Sequence, residues 1–259
     1  MALSLLLWLV ALAVAGAFAM KRWWLPQAIN AHAASFDSWF AINFWIAGII
    51  FFAAQAALGW IVFRCRRHNA GYSVGDRRLE IVWTSFTAVL FLAAAGIGAS
   101  MFAALQFAPV RAGALRIEVS AQQFSWNFRY AGPDGRFGHT DIRFVNDAAG
   151  NPFGIDANDA AGRDDIVSSA LRVPAGRPVE LILRSRDVIH NLFVRELRMK
   201  QDLVPGMEIP LRFAADVPGE YEIACAELCG LGHHQMRSVL IVLPPQDFDA
   251  WLASQAAGR

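Results

Sequence analysis

Residues Trp39 to Phe63 form an apolar run broken only by Asn43 and Gln55 and stopped by Arg64-Cys65-Arg66-Arg67-His68. A run of this length is what a helix needs to cross a hydrocarbon core, which takes about 20 residues. Leu79 to Leu105 repeats the pattern, with Gly96 and Gly98 tolerable in lipid. Arg64, Arg66, Arg67, Arg77 and Arg78 crowd the connection between the two runs. The positive-inside rule therefore puts that connection in the cytoplasm and everything after residue 105 on the outer side.

Residues 2–20 make a third apolar run, ending at Lys21-Arg22-Trp23-Trp24. Two readings stay open: a retained membrane helix, or the apolar region of a signal peptide. Only Met1 precedes the run, which lacks the positive start of a signal, so a retained helix is preferred. If it spans, Lys21 and Arg22 fall on the outer side against the charge rule, which keeps the signal reading alive. Trp23 and Trp24 suit an interfacial belt.

The 56% hydrophobic content exceeds that of most soluble domains. Charge is divided unevenly. Residues 1–106 hold seven Lys/Arg against three acids and residues 107–259 sixteen against nineteen, so a basic membrane part joins a mildly acidic domain. Lipid is an expected partner and nucleic acid is not. Three cysteines are too few for a disulfide scaffold, and Cys65, set among arginines, is an incidental thiol on the reducing side.

From about residue 108 the pattern changes. Leu115–Ser120, Val179–Arg184 and Glu220–Ala224 alternate with the period of strands, and Ser238–Leu243 is an apolar run bounded by Pro244. Gly and Pro turns punctuate them at Gly132-Pro133, Pro174-Ala-Gly176, Val204-Pro-Gly206 and Val217-Pro-Gly219. Many short strands with regular turns predict a β-sandwich or barrel. The stretch Asn146–Ala170 is expected to be a long exposed loop, and a closing amphipathic helix is expected near Gln246–Leu252. The expected organisation is residues 1–24, an apolar N-terminal segment; 25–107, a membrane hairpin with helices at about 39–63 and 80–105; and 108–259, an external domain with a C-terminal helix.

The chemistry is concentrated in Cys225-Ala-Glu-Leu-Cys-Gly-Leu-Gly-His-His-Gln-Met236. One tight loop there can aim Cys225, Cys229, His233 and Met236 at a common point. Thiolate, imidazole and thioether together suit copper, whereas structural zinc takes four Cys/His ligands. A single-copper site needs only one Cys, and here two thiolates could bridge a pair of metals. A second imidazole must come from elsewhere, and His190 in Arg186-Asp-Val-Ile-His-Asn-Leu-Phe-Val194 is the best donor. A Cys225–Cys229 disulfide is the competing reading, and it leaves His233 and Met236 without a role. Gly230 and Gly232 let the loop turn tightly around the metal.

The pattern C-x-E-x-C-G-x-x-H-x-x-M, matched at Cys225, Glu227, Cys229, Gly230, His233 and Met236, resembles that of subunit II of the haem-copper cytochrome c oxidases, with its dinuclear copper centre, CuA. The resemblance implies a transmembrane α-helical N-terminal part followed by an all-β cupredoxin-like Greek-key barrel. It implies that Cys225 and Cys229 bridge two coppers, that His190 and His233 each cap one, that Met236 is a weak ligand to one, and that Glu227 offers its backbone carbonyl to the other. It further implies a magnesium or manganese ion held at the subunit I interface through the Glu227 side chain. His234, His32, His68 and His139 are expected to be bystanders. Asp187 is a candidate to order the His190 ligand.

Two further segments gain roles from the same resemblance. Leu79-Glu-Ile-Val-Trp-Thr84 resembles the start of the helix whose Glu lies near a proton pathway into subunit I, so Glu80 is a candidate for proton uptake. Gln122-Gln-Phe-Ser-Trp-Asn-Phe-Arg-Tyr130 corresponds to the Trp-rich G-H-Q-W-x-W segment where electrons arrive from cytochrome c. Phe124 stands where the first Trp is expected and Trp126 keeps the second. Asp156, Asp159, Asp164 and Asp165 are candidates to steer a basic cytochrome c. The expected function is electron transfer in an inner-membrane terminal oxidase, from cytochrome c to haem in subunit I, where oxygen is reduced to water, with the C-terminal domain on the periplasmic side. A nitric oxide reductase carrying the same copper subunit, and a copper-free quinol oxidase subunit II, are the alternatives.

Overall fold

The three apolar runs are helices α1 (Ala2–Ala19), α2 (Ala31–Cys65) and α3 (Arg77–Gln106) in the computed structural model, which describes residues 2–20, 25–66, 75–107 and 109–257. At about 1.5 Å per residue each is long enough to cross a bilayer core, or nearly so for α1. Lys21 to Trp24, Arg67 and His68 lie outside the described residues.

Both longer helices begin before their hydropathy does. Asn30 caps α2 by accepting from the Ala33 N–H at 2.6 Å, so polar Ser35, Asp37 and Ser38 ride in its first turns. Asp76 caps α3 by accepting from the Arg78 N–H at 2.8 Å, which sets Glu80 in the first turn, exposed. Helix α1 runs antiparallel to α2, with the Trp8 ring where any side chain at Gly59 would collide and Phe18 stacked on Phe44 at 3.9 Å. Most of the apolar surface of these helices stays outward, as in Leu12, Ile49, Phe91 and Leu92. Helices apolar all round need lipid or protein to cover them.

Pro26–Ala34 and Leu105–Arg259 form a second compact unit. Its strands are β1 (Leu115–Gln122), β2 (Ser125–Tyr130), β3 (Ile166–Ser168), β4 (Leu171–Pro174) and β5 (Val179–Ser185), then β6 (His190–Val194), β7 (Met199–Leu203), β8 (Ile209–Phe213), β9 (Gly219–Cys225) and β10 (Arg237–Leu243). They make two five-stranded sheets, ordered β3-β2-β1-β5-β8 and β4-β10-β9-β6-β7. Apolar side chains of both sheets, among them Val119, Phe128, Leu181, Leu192, Ile223 and Leu240, pack into one core. Each such buried side chain contributes about 1.5–3 kcal/mol. Helix α4 (Pro245–Ala257) is the expected closing helix and seals one edge with Phe248, fully buried, and Trp251, edge-on to Tyr130.

Strand β1 departs from its alternating pattern, because Glu118 and Ser120 are buried along with Ile117, Val119 and Ala121. The reason lies in register: Glu118 pairs with Arg129 of β2, and the guanidinium donates to Glu118 at 2.8 Å, to the Gly138 carbonyl at 2.6 Å, and to Asp165. The segment expected to be an exposed loop is therefore partly folded down over the sheet. Asn151 bonds the Phe144 and Ile155 carbonyls and accepts from the Ile155 N–H, closing a small turn of its own.

Candidate metal centre

The end of one sheet assembles the site. Strand β9 ends at Cys225 and β10 begins at Arg237, antiparallel, and the Cys225 N–H donates to the Met236 carbonyl at 3.2 Å. The eleven residues between Cys225 and Arg237 are thus a hairpin loop whose two ends are held by the ladder. Strand β6 lies on the other side of β9, with Leu192 opposite Cys225, so His190 at the start of β6 arrives beside the end of β9. The Ala226 N–H donates to the Asn191 carbonyl at 3.0 Å and completes the seam.

The donors meet. Cys225 Sγ and Cys229 Sγ are 3.8 Å apart, His190 Nδ1 is 4.0 Å from Cys225 Sγ, and His233 Nδ1 is 3.6 Å from Cys229 Sγ. Met236 Sδ is 3.7 Å from Cys229 Sγ, and the Glu227 carbonyl accepts from the Cys225 thiol at 3.2 Å. Among the described residues His190, Cys225 and Cys229 form a buried group whose ligand atoms all lie within 4.8 Å. A disulfide needs about 2.05 Å between sulfurs, so the disulfide reading fails in this geometry and both thiols are free. Donors sharing a metal at about 2.3 Å for sulfur and 2.0 Å for nitrogen stand roughly 3.5–4 Å apart. The spacings fit a soft metal, and the His/Cys/Cys/Met set suits copper.

Without a metal the buried Cys229 thiol is held in its neutral form. Burial pushes the Cys229 thiol up to about 11, and the Cys225 thiol beside it adds to the effect. A metal that deprotonates both thiols relieves that cost. Asp187 behaves in the opposite way. Burial would raise it, but the Gln123 and Val188 N–H groups and the His190 imidazole hold its carboxyl below the ordinary carboxylate range. Its Oδ1 is 2.8 Å from His190 Nε2. A carboxylate only accepts, so Nε2 carries the proton and Nδ1 presents its lone pair towards Cys225.

The turn between β1 and β2 lies against the loop. Phe124 is 38% exposed and its ring occupies the space a side chain at Gly232 would need, whereas Trp126 is 2% exposed and packs edge-on to His190 at 6.2 Å. Gly230 has φ +138°, a backbone that L side chains rarely adopt. Glu227 and His234 are exposed. Gln123, to which the sequence assigned no role, donates from Nε2 to the Cys229 carbonyl at 2.6 Å. The contact spans 106 residues, and no local pattern announces it.

One member of the acidic set expected to steer a cytochrome, Asp165, is corrected, while Asp156, Asp159 and Asp164 are half-buried. Asp165 is fully buried on Arg129 and cannot face a partner. Asp159 accepts the His139 and Ala161 N–H groups, Asp164 the Asp134 N–H, and Asp156 the Asn158 N–H. These carboxylates brace the turns of a folded segment.

A membrane-anchored β-sandwich holding a His/Cys/Cys/Met cluster is the class of a copper-binding, cupredoxin-type electron carrier. Residues 115–243 match the family described as cytochrome c oxidase subunit II, periplasmic domain. The chain is 36% identical to the alternative cytochrome c oxidase subunit 2 of Bradyrhizobium diazoefficiens over 98% of its own length and 92% of that protein. It is 32% identical to the cytochrome c oxidase subunit 2 of Thermostichus vulcanus over 88% of its length and 77% of that protein. The crystal structure of the periplasmic domain of subunit II of the Bradyrhizobium japonicum cytochrome oxidase aligns with 58% of the chain and 99% of its own length, at TM-score 0.43 and 22% identity. The chain belongs to the cytochrome c oxidase subunit II family. It is a subunit of an oxidoreductase complex with a part in respiratory electron transfer, and membership implies association with subunit I of a haem-copper oxidase.

Proposed function

We propose that the chain takes electrons one at a time from cytochrome c at a dinuclear CuA centre and passes them to haem in subunit I, where oxygen is reduced to water with proton translocation. The observation that carries this reading is the pair of free sulfurs 3.8 Å apart with an imidazole Nδ1 at each end. Cys225 and Cys229 would bridge two coppers, His190 and His233 would cap one each, Met236 would be a weak ligand to one, and the Glu227 carbonyl would serve the other. When bound, the centre supplies one-electron redox chemistry shared over two metals.

The residues of the chain do the rest. The ladder between β9 and β10 and the β6 seam hold the donors in place, which keeps rearrangement small when the charge changes. Burial of His190, Cys225, Cys229 and Met236 excludes water from the cluster. Phe124 and the loop edge at Gly230 to Gly232 are the surface offered to the donor cytochrome, with Trp126 buried behind His190. The exposed Glu227 carboxylate is assigned to a magnesium or manganese ion shared with subunit I, and Glu80 to proton uptake. The packing of Trp8 and Phe18 on α2 supports Ala2–Ala19 as a third membrane helix. The arginines between α2 and α3 support a β unit on the periplasmic side of the inner membrane.

The test is a metal count on the full chain in detergent, loaded with copper and examined by electron paramagnetic resonance. Two ions per chain and an unpaired electron shared by two nuclei are expected. One ion per chain, or a localised Cu(II) signal, would sink the dinuclear assignment.

A further inference from the structure

We propose that Gln123 is a positioning residue that clamps the two halves of the metal cluster at a fixed separation, an inference that rests on the copper reading above. Gln123 and Phe124 are the two turn residues between β1 and β2, since Gln122 pairs with Ser125. From that turn Gln123 reaches in two directions. Its side-chain Nε2 donates to the Cys229 carbonyl at 2.6 Å, and its backbone N–H donates to Asp187 Oδ2 at 2.7 Å. Asp187 in turn holds His190 through Oδ1 at 2.8 Å. One residue therefore ties the Cys229, His233 and Met236 half to the His190 half, through partners 106 and 64 residues away in sequence.

The orientation of the amide follows from its partner. A carbonyl oxygen only accepts, so Nε2 and not Oε1 faces Cys229. The loop is shaped to admit it: a Cβ at Gly230 would run into Gln123 Nε2. The bond sets the plane of the peptide that follows Cys229, and with it the direction in which Sγ leaves the backbone. The backbone bond to Asp187 keeps the carboxylate where it fixes the His190 tautomer. Neither contact touches the metal; both decide where its ligands stand.

The experiment uses the oxidase complex carrying Gln123→Met, which preserves length and removes the donor, and Gly230→Ala, which presses on the same Nε2 from the loop side. The readouts are copper per chain, the hyperfine pattern in electron paramagnetic resonance, and the rate of copper loss to a cuprous chelator, with the thermal midpoint as control. Gln123→Met is expected to load copper, to show altered hyperfine couplings, and to lose copper about 10-fold faster or more, the scale on which groups behind metal ligands act. Gly230→Ala should shift both readouts in the same direction. Unchanged hyperfine couplings and release rate in Gln123→Met would overturn the proposal, as would copper loss that merely tracks a fallen thermal midpoint. A parent complex whose chain holds no copper at this site would remove the copper reading, and the clamp with it.

Discussion

Cys225 Sγ lies 3.8 Å from Cys229 Sγ, with both side chains buried and neither oxidised. Replacing either by Ser puts a hard, weakly acidic hydroxyl where the proposed dinuclear centre would need a bridging thiolate. Cys225→Ser and Cys229→Ser are each expected to abolish the shared signal and leave no more than one copper per chain. Metal analysis with electron paramagnetic resonance decides this, and a Ser variant that keeps a shared pair would contradict the bridging roles.

Met236 is buried and sits 3.7 Å from the Cys229 sulfur. Met236→Leu conserves volume, so the fold should lose less than about 1.5 kcal/mol. A weak thioether ligand tunes a potential more than it retains a metal. The variant should hold both coppers and titrate at a shifted reduction potential; complete loss of copper in a metal count would rank Met236 as an essential ligand.

Arg129 is buried against Asp165 and Glu118. Arg129→Met would take the guanidinium from the fully buried Asp165 and leave Glu118 only its longer contact to Arg184 at 3.5 Å, a cost of about 3–5 kcal/mol. Thermal or denaturant unfolding followed in the β unit measures it. A loss of about 1 kcal/mol, the scale of an exposed pair, would show that the ion pair does not hold the segment from Gly138 to Asp165 on the sheet.

Burial raises the pKa of the Tyr130 hydroxyl well above its ordinary value of about 10, against the opposing pull of the Arg172 backbone and side chain. The hydroxyl donates to the Arg172 carbonyl and accepts from its N–H. The folded chain therefore grips that proton more tightly than the unfolded one. The stability it contributes is whole below about pH 10 and is lost as the pH climbs past that value. Tyr130→Phe should cost about 1–3 kcal/mol at neutral pH and flatten the alkaline decline of the thermal midpoint; an equally steep decline in the variant would assign it to other groups.

The spacing of Cys225, Cys229, His233 and Met236 was legible because the ligands share one loop, and the strands at Leu115, Val179, Glu220 and Ser238 because side-chain alternation is local. The starts of α2 and α3 were not, since Asn30 and Asp76 cap helices whose first turns are polar and invisible to hydropathy. The burial of Glu118 and Asp165 was not legible either, because their partner, Arg129, reaches them across strands and loops. Gln123 escaped notice for the same reason: the groups it joins are neighbours only after both sheets have formed.

Pro26–Ala34 belongs to the β unit although two membrane helices separate it from the rest. Ile29 is buried there; its N–H donates to the Glu196 carbonyl at 3.3 Å, and its carbonyl accepts from the Asp216 N–H at 2.8 Å. During synthesis Ile29 leaves the ribosome 187 residues before Asp216, on the order of 10–40 s earlier at usual elongation rates. The β unit therefore closes on a segment synthesised long before the strands that receive it. A fragment cut to begin after α3 would lack Ile29 and the two backbone hydrogen bonds that seat it against Glu196 and Asp216.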